Sequence, residues 1–261
     1  MERGNFGSKI GAILASAGSA VGLGNIWRFP MECGSNGGAA FILIYLLCVF
    51  FLAMPVMVAE FVIGRSSRSN AVGSYRVLAP GKPWVVSGFM GVLAGFLVLS
   101  YYSVVAGWTL DYTFESLSGS LMSESDFASF FADFVSNPWR PVVFLALFLL
   151  LTHFVVATGV EKGIERYSKI MMPMLLVIIL VLAGFSMMMP NAIEGVRFLL
   201  TPDFSKLTKD VVLSAMGQAF FSLSVGMGTL ATYASYFNKE TKLVPSAIGV
   251  CTIDTLVAIS A

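Results

Sequence analysis

Ala17-Gly18-Ser19-Ala20-Val21-Gly22-Leu23-Gly24-Asn25 is the stretch whose reading decides the fold. It lies in the middle of a segment otherwise apolar enough to cross a bilayer. Glycine costs about 1 kcal/mol against alanine in a helix interior. In hydrocarbon, backbone leaves the helix only where protein buries it or it lines a cavity. The stretch therefore reads as a break in a membrane helix. Such a break leaves carbonyls at the end of one half and amides at the start of the other, an arrangement that binds ions. A glycine-rich face for close helix packing is the alternative reading of the same spacing.

The rest of the chain sets this stretch in a membrane. Of 261 residues, 57% are hydrophobic and 12% charged, against roughly 25% charged in soluble proteins. Mean hydropathy is +0.82, so the composition is that of an integral membrane protein whose partner is the lipid bilayer. A net charge of +1 gives no footprint for nucleic acid. Cys33, Cys48 and Cys251 lack metal or redox spacing and read as apolar fillers. His153 stands alone in an apolar run and reads as a packed or hydrogen-bonded side chain, with no second ligand for a metal. The first eight residues show no cleavable signal pattern.

Seven apolar spans are predicted, at about 9–30, 38–64, 84–114, 139–158, 165–188, 211–237 and 244–261. The last runs to Ser260-Ala261 without polar flanking residues, which predicts a chain cut short within its seventh helix. Residues 115–138 read as a Ser-rich, acidic cap without a motif, and residues 190–210 as an amphipathic interfacial helix with a turn at Thr201-Pro202-Asp203. With the N-terminus in the cytoplasm, the inner segments hold Arg3, Lys9, Arg65, Arg68, Arg76, Lys82, Lys162, Arg166, Lys169, Lys239 and Lys242. The outer ones hold Arg28, Arg140, Arg197, Lys206 and Lys209. The asymmetry predicts an inside N-terminus and a multi-pass protein of the cell (inner) membrane.

A second interruption falls in the sixth span, at Gln218-Ala219-Phe220-Phe221-Ser222-Leu223-Ser224-Val225-Gly226-Met227-Gly228. Five spans separate the starts of spans one and six, so the two cross in opposite directions. Interrupted segments at matching positions of two inverted halves point to a transporter binding site at the membrane midplane. The expected organisation is a first repeat over 1–188, an interfacial segment over 189–210 and the start of a second repeat over 211–261. Amides around Gly22 and Gly24 favour a carboxylate. Carbonyls near Ala20, Phe221 and Ser222 are hard donors for an alkali cation or an ammonium. Walls of Val98, Tyr102, Phe221 and Met227 then suit a zwitterion with an apolar side chain, which describes an amino acid. Asp254 is taken as the one acid inside the membrane, marking an ion pathway.

These residues resemble the neurotransmitter:sodium symporters, specifically their prokaryotic amino-acid members. The resemblance covers residues 1–261 and is densest at Gly18-Ser-Ala-Val-Gly-Leu-Gly-Asn-Ile-Trp-Arg-Phe-Pro30, Asn36-Gly-Gly, Tyr101-Tyr102, Lys162-Gly-Ile-Glu-Arg166, Thr201-Pro-Asp-Phe204 and Phe221 to Tyr236. It implies an all-α inverted-repeat membrane bundle with discontinuous helices one and six and an incomplete second repeat. It implies a first sodium site from the Ala20 carbonyl, Asn25, Ser222 and Asp254. A second, partial one would use the Gly18 and Val21 carbonyls. Substrate would meet Ala20, Gly22, Gly24, Val98, Tyr102, Phe221, Ser222, Ser224 and Met227, with the Tyr102 hydroxyl on the carboxylate. Arg28 resembles the outer gate cation, its acidic partner lying beyond residue 261. Arg3, Phe6, Ser235 and Tyr236 resemble the cytoplasmic gate. Gly163 and Pro173 match a Gly-X9-Pro pattern associated in some members with local unwinding; a proline kink is the equally open alternative. Met227 stands where some relatives have Phe, and methionine repacks around large apolar side chains.

The function expected is sodium-coupled import of an amino acid by alternating access, with no enzyme chemistry: there is one histidine and no nucleophile–base pair. A non-transporting fragment of such a carrier and a seven-span receptor are the alternatives. Many family members have Asn where this chain has Asp254, and a full charge beside the sodium would substitute for the chloride that other relatives require. Sodium-dependent uptake in gluconate medium should therefore match uptake in chloride; strict chloride dependence would contradict this role for Asp254.

Overall fold

The computed structural model describes residues 9–261. Helix α1 (Lys9–Ala20) continues through Gly18 and stops just before Val21-Gly22. After a short non-helical step a π-turn (Gly24–Arg28) leads into α2 (Phe29–Ser35). Pro30 sits in the first turn of α2, where its missing N–H would have had no helical partner anyway. Next come α3 (Ala39–Cys48), a π-turn (Val49–Ala53) and α4 (Met54–Ser67), continuous over 29 residues. The π-turn falls just before Pro55, which cannot donate to the preceding turn. Helix α5 (Ala71–Leu78) is capped by the Asn70 side chain, which accepts from the Gly73 amide at 2.7 Å. Helices α6 (Val85–Ser118), α7 (Phe127–Ser136) and α8 (Arg140–Ala157) follow. A π-turn at Val160–Glu165 then opens α9 (Arg166–Ser186), which keeps Pro173 inside it. The last elements are α10 (Ala192–Leu200), α11 (Lys209–Ser222), α12 (Thr229–Ala234) and α13 (Leu243–Ser260).

Among the described residues, five unbroken helices are long and apolar enough to cross a membrane: Ala39–Ser67, Val85–Ser118, Arg140–Ala157, Lys162–Ser186 and Leu243–Ser260. They are the predicted spans two, three, four, five and seven. Spans one and six are absent from this set because each is interrupted near its middle. No strand occurs among the described residues. The chain is an all-α membrane protein with helices one and six discontinuous.

It divides into two compact units. One comprises the chain up to Val92 together with Val160–Ala261, the other Leu93–Gly159. In the first, α1 packs on α13 and α9, α11 on α3, and α12 on α4. Its core is built around Phe41, Tyr45, Met57, Phe61, Leu230 and Phe237, all essentially inaccessible. In the second, Arg140 at the start of α8 donates from Nε to buried Asp111 at 2.8 Å and also pairs with Glu115. Its guanidinium lies over the Phe134 ring.

Two local readings change. The segment 115–138 contains helix α7, capped by Asp126, whose carboxylate accepts from the Ala128 and Ser129 amides. Its signal was available: an Asp cap followed by Phe127, Phe130, Phe131 and Phe134 at helical spacing. Phe130, Phe131 and Phe134 gather on Tyr112. His153 is exposed rather than packed, because α8 buries none of its residues.

The closest helix contact is between α4 and α12. A Cβ on Gly64 would stand 1.9 Å from the Ala231 carbonyl oxygen, which is fixed backbone. Gly64→Ala should cost at least about 2 kcal/mol through overpacking, read as a lower midpoint in thermal unfolding of the purified protein. The exposed Gly195, whose Cβ would meet nothing, should accept alanine without loss.

Candidate functional site

Three polar side chains from three segments meet in the interior of the first unit. Asn25 belongs to the π-turn after α1, Ser222 ends α11, and Asp254 lies two-thirds along α13; all three are at most 1% exposed. The Asn25 amide Nδ2 donates to Asp254 Oδ1 at 2.8 Å and approaches Ser222 Oγ at 3.0 Å and the Asp254 carbonyl at 3.1 Å. Ser222 Oγ donates to Asp254 Oδ2 at 2.8 Å, and the Tyr45 hydroxyl reaches the same oxygen at 3.3 Å. Asn25 Oδ1 accepts from the Gly22 amide at 3.0 Å, tying the cluster to the first break.

The breaks themselves are held by side chains. Past Ala20 the helical bonds resume from the Gly22 carbonyl, which accepts from Asn25 and Ile26. Gln218 Nε2 donates to the Gly24 carbonyl at 2.9 Å, a second bond beside the one that oxygen accepts from the Phe29 amide. At the second break, residues 223–228 leave the helix, and Ser224, Gly226 and Gly228 all have positive φ (54°, 87° and 70°). Gly228 has no room for a side chain, since a Cβ would lie 2.5 Å from that of Ala71. Ser224 Oγ donates to the Ser19 carbonyl at 3.0 Å, so the two breaks are joined directly.

Sequence reasoning missed Glu60. It lies on α4, is 9% exposed, and accepts from the Gly226 amide at 2.6 Å and the Ala231 amide at 3.3 Å. It is the acceptor for backbone that the second break frees. The rule that singled out Asp254 applies equally to an acid in Val-Ala-Glu-Phe within span two, so Asp254 is not the sole intramembrane acid.

The remaining predicted residues distribute as follows. Phe221 packs its ring against Gly24 and lies under the Arg28 guanidinium at 4.9 Å, while Arg28 Nη1 donates to Gln218 Oε1 at 2.7 Å. The Met227 backbone meets Gly91 on the first turns of α6. Gly18 packs against Ser168 and Met172 of α9 and Val21 is buried, so close packing and helix interruption both occur within one stretch. Ser235, buried, and Tyr236, half-buried, follow α12. Val98 and Tyr102 lie on the part of α6 that belongs to the second unit. Arg3 and Phe6 lie outside the described residues.

One carboxylate among neutral oxygens suits a hard monovalent cation. Among the described residues no group of three His, Cys, Asp or Glu gathers as a transition-metal site would require.

A profile of the sodium:neurotransmitter symporter family matches residues 3–133 and 131–261, the whole chain but its first two residues. The chain belongs to that family. It is 43% identical over 258 residues to YhdH, an uncharacterized sodium-dependent transporter of Bacillus subtilis, a match covering 98% of this chain and 57% of that protein. The sodium-dependent neutral amino acid transporter B(0)AT2 of Mus musculus is 28% identical over 274 residues, covering 92% of this chain and 37% of the mouse protein. Among solved structures, MhsT in complex with L-phenylalanine superposes with a TM-score of 0.94 at 50% identity, covering 99% of this chain and 59% of MhsT. The chain thus spans little more than half the length of these bacterial relatives. It is a transmembrane transporter-family chain with the partial fold of that family.

Glu60→Ala should leave the Gly226 and Ala231 amides without this acceptor, at about 1–3 kcal/mol for the buried Ala231 amide. Hydrogen exchange should report this as faster exchange confined to residues around 226–231, with α8 unaffected.

Proposed function

We propose that the chain forms the sodium- and substrate-binding half of a symporter that imports an amino acid with an apolar or aromatic side chain. The observation that carries the reading is the buried Asn25–Ser222–Asp254 cluster between two interrupted helices. Sodium is cargo here, moving down its gradient. The Asp254 carboxylate, the Ser222 hydroxyl, the Asn25 side-chain oxygen and the Ala20 carbonyl are its hard donors. Gly18 and Val21 carbonyls contribute to a second sodium. The substrate carboxylate meets the amides of Gly22 and Gly24. Its side chain meets Phe221, Ser222, Ser224 and Met227.

Coupling follows from electrostatics. A buried carboxylate without a cation is costly, and a sodium ion beside it offsets that cost while drawing the substrate carboxylate toward the same break. Sodium and substrate therefore favour each other's binding. The phenylalanine bound to MhsT and the neutral amino acids named for the mouse relative support the substrate class. The asymmetry of Lys and Arg supports an inside N-terminus. Arg28 covers one end of the site, and Ser235 and Tyr236 the other, in an alternating-access cycle without enzyme chemistry.

The test is equilibrium binding of a panel of radiolabelled amino acids, with choline replacing sodium as control. Saturable binding in sodium only, strongest for large apolar side chains, is expected. Equal binding in choline would overturn the reading. Asp254→Asn should raise the sodium concentration for half-maximal binding roughly tenfold, the scale of one charged contact.

A further inference from the structure

Glu32 has no part in the site described above, yet it is the most connected acid near its Arg28 end. It lies in the first turn of α2, on the half of span one that follows the break. Its Oε1 accepts from Arg28 Nη2 at 3.1 Å. Its Oε2 accepts from Ser214 Oγ at 2.5 Å and from Asn36 Nδ2 at 3.1 Å. Asn36 also donates to the Glu32 carbonyl at 2.8 Å and approaches Ser214 Oγ at 3.5 Å. Ser214 belongs to α11, the half of span six that precedes its own break. One carboxylate therefore gathers three donors and ties the two half-helices on the Arg28 side of the breaks.

The same carboxylate decides where Arg28 points. The guanidinium has its Nη2 on Glu32, its Nη1 on Gln218 and its face over Phe221. Gln218 in turn holds the Gly24 carbonyl. Arg28 and Glu32 are about a quarter exposed, so neither the charge pair nor its bonds to Ser214 and Asn36 are fully screened by solvent. An isolated i,i+4 ion pair contributes little. A carboxylate shared with a serine on another helix constrains the distance between the helices as well.

We propose that Glu32 is a positioning residue: it clasps α2 to α11 and holds Arg28 over the Phe221 end of the site, so that this end opens only when the Glu32–Ser214 bridge parts. What the opening admits rests on the transport reading; the clasp itself does not. Fully drawn together, the clasp keeps α2 packed on its buried face, where Cys33, the next residue in sequence, is 3% exposed. Cys33 is thus a native reporter, and Cys48 and Cys251, also buried and free, are internal controls elsewhere in the core.

The experiment measures the maleimide labelling rate of each cysteine by peptide mass spectrometry, on the full chain in lipid nanodiscs. Glu32→Gln and, separately, Ser214→Ala should each raise Cys33 labelling roughly tenfold, as expected for loss of a charged hydrogen bond. Labelling of Cys48 and Cys251 should stay at the wild-type rate. Glu32→Asp, which keeps the charge, should fall between Glu32→Gln and wild type. Unchanged Cys33 labelling in both Glu32→Gln and Ser214→Ala overturns the clasp. So does a parallel rise at all three cysteines, which is general loosening; Ser214→Ala leaves the ion pair intact and decides the matter if Glu32→Gln folds poorly. A bound-phenylalanine dissociation rate, faster in Glu32→Gln than in wild type, reads the functional consequence. Absence of sodium-dependent binding in wild type would reject the transport reading while the labelling rates still decide the clasp.

Discussion

A helix broken inside hydrocarbon must have its freed amides and carbonyls satisfied by the protein itself. That constraint organises the first unit. At each break, side chains bond the backbone groups. Gln218 takes the Gly24 carbonyl, Asn25 takes the Gly22 amide, Glu60 takes the Gly226 and Ala231 amides, and Ser224 takes the Ser19 carbonyl. Asn25 serves its own break, while Gln218, Glu60 and Ser224 reach across from other segments. The Ser224–Ser19 and Gln218–Gly24 bonds join the two broken spans directly.

Packing makes this geometry possible. Glycine at 64 lets α4 approach the α12 backbone closely enough for Glu60, one turn earlier on the same helix, to reach across to the second break. Positive φ at Gly226 and Gly228 turns the chain so that its amides face α4. Ser224 adopts the same left-handed region without being glycine, and its hydroxyl bond to Ser19 offsets the strain of doing so. The polar cluster at Asp254 thus rests on an apolar frame that sets its distances.

Both interruptions were legible in the sequence because their residue types, Gly, Ser, Asn and Gln in the middle of apolar runs, are unfavourable in a lipid-facing helix. The five unbroken spans were legible from length and hydropathy, with ends displaced by a few residues, as between 84–114 and Val85–Ser118. Three things were not read. Helix α7 was hidden by the acidic, serine-rich character of its flanks. Glu60 was masked by the strongly apolar span around it. Glu32 resembled an ordinary charge at a span end, because its bond to Ser214 joins positions 182 residues apart. Periodicity describes each helix against its own surroundings; it carries no information on which distant helix will supply a partner.

The separation of the cluster's members also sets an order of assembly. Asn25 and Asp254 are 229 residues apart, and Ser222 is 32 residues before Asp254. As the chain leaves the ribosome, spans one to five are made before either partner of Asn25 exists. Until spans six and seven are made, Asn25 can hold only the Gly22 amide of its own break. The cluster is therefore complete only once the last of these segments has been made.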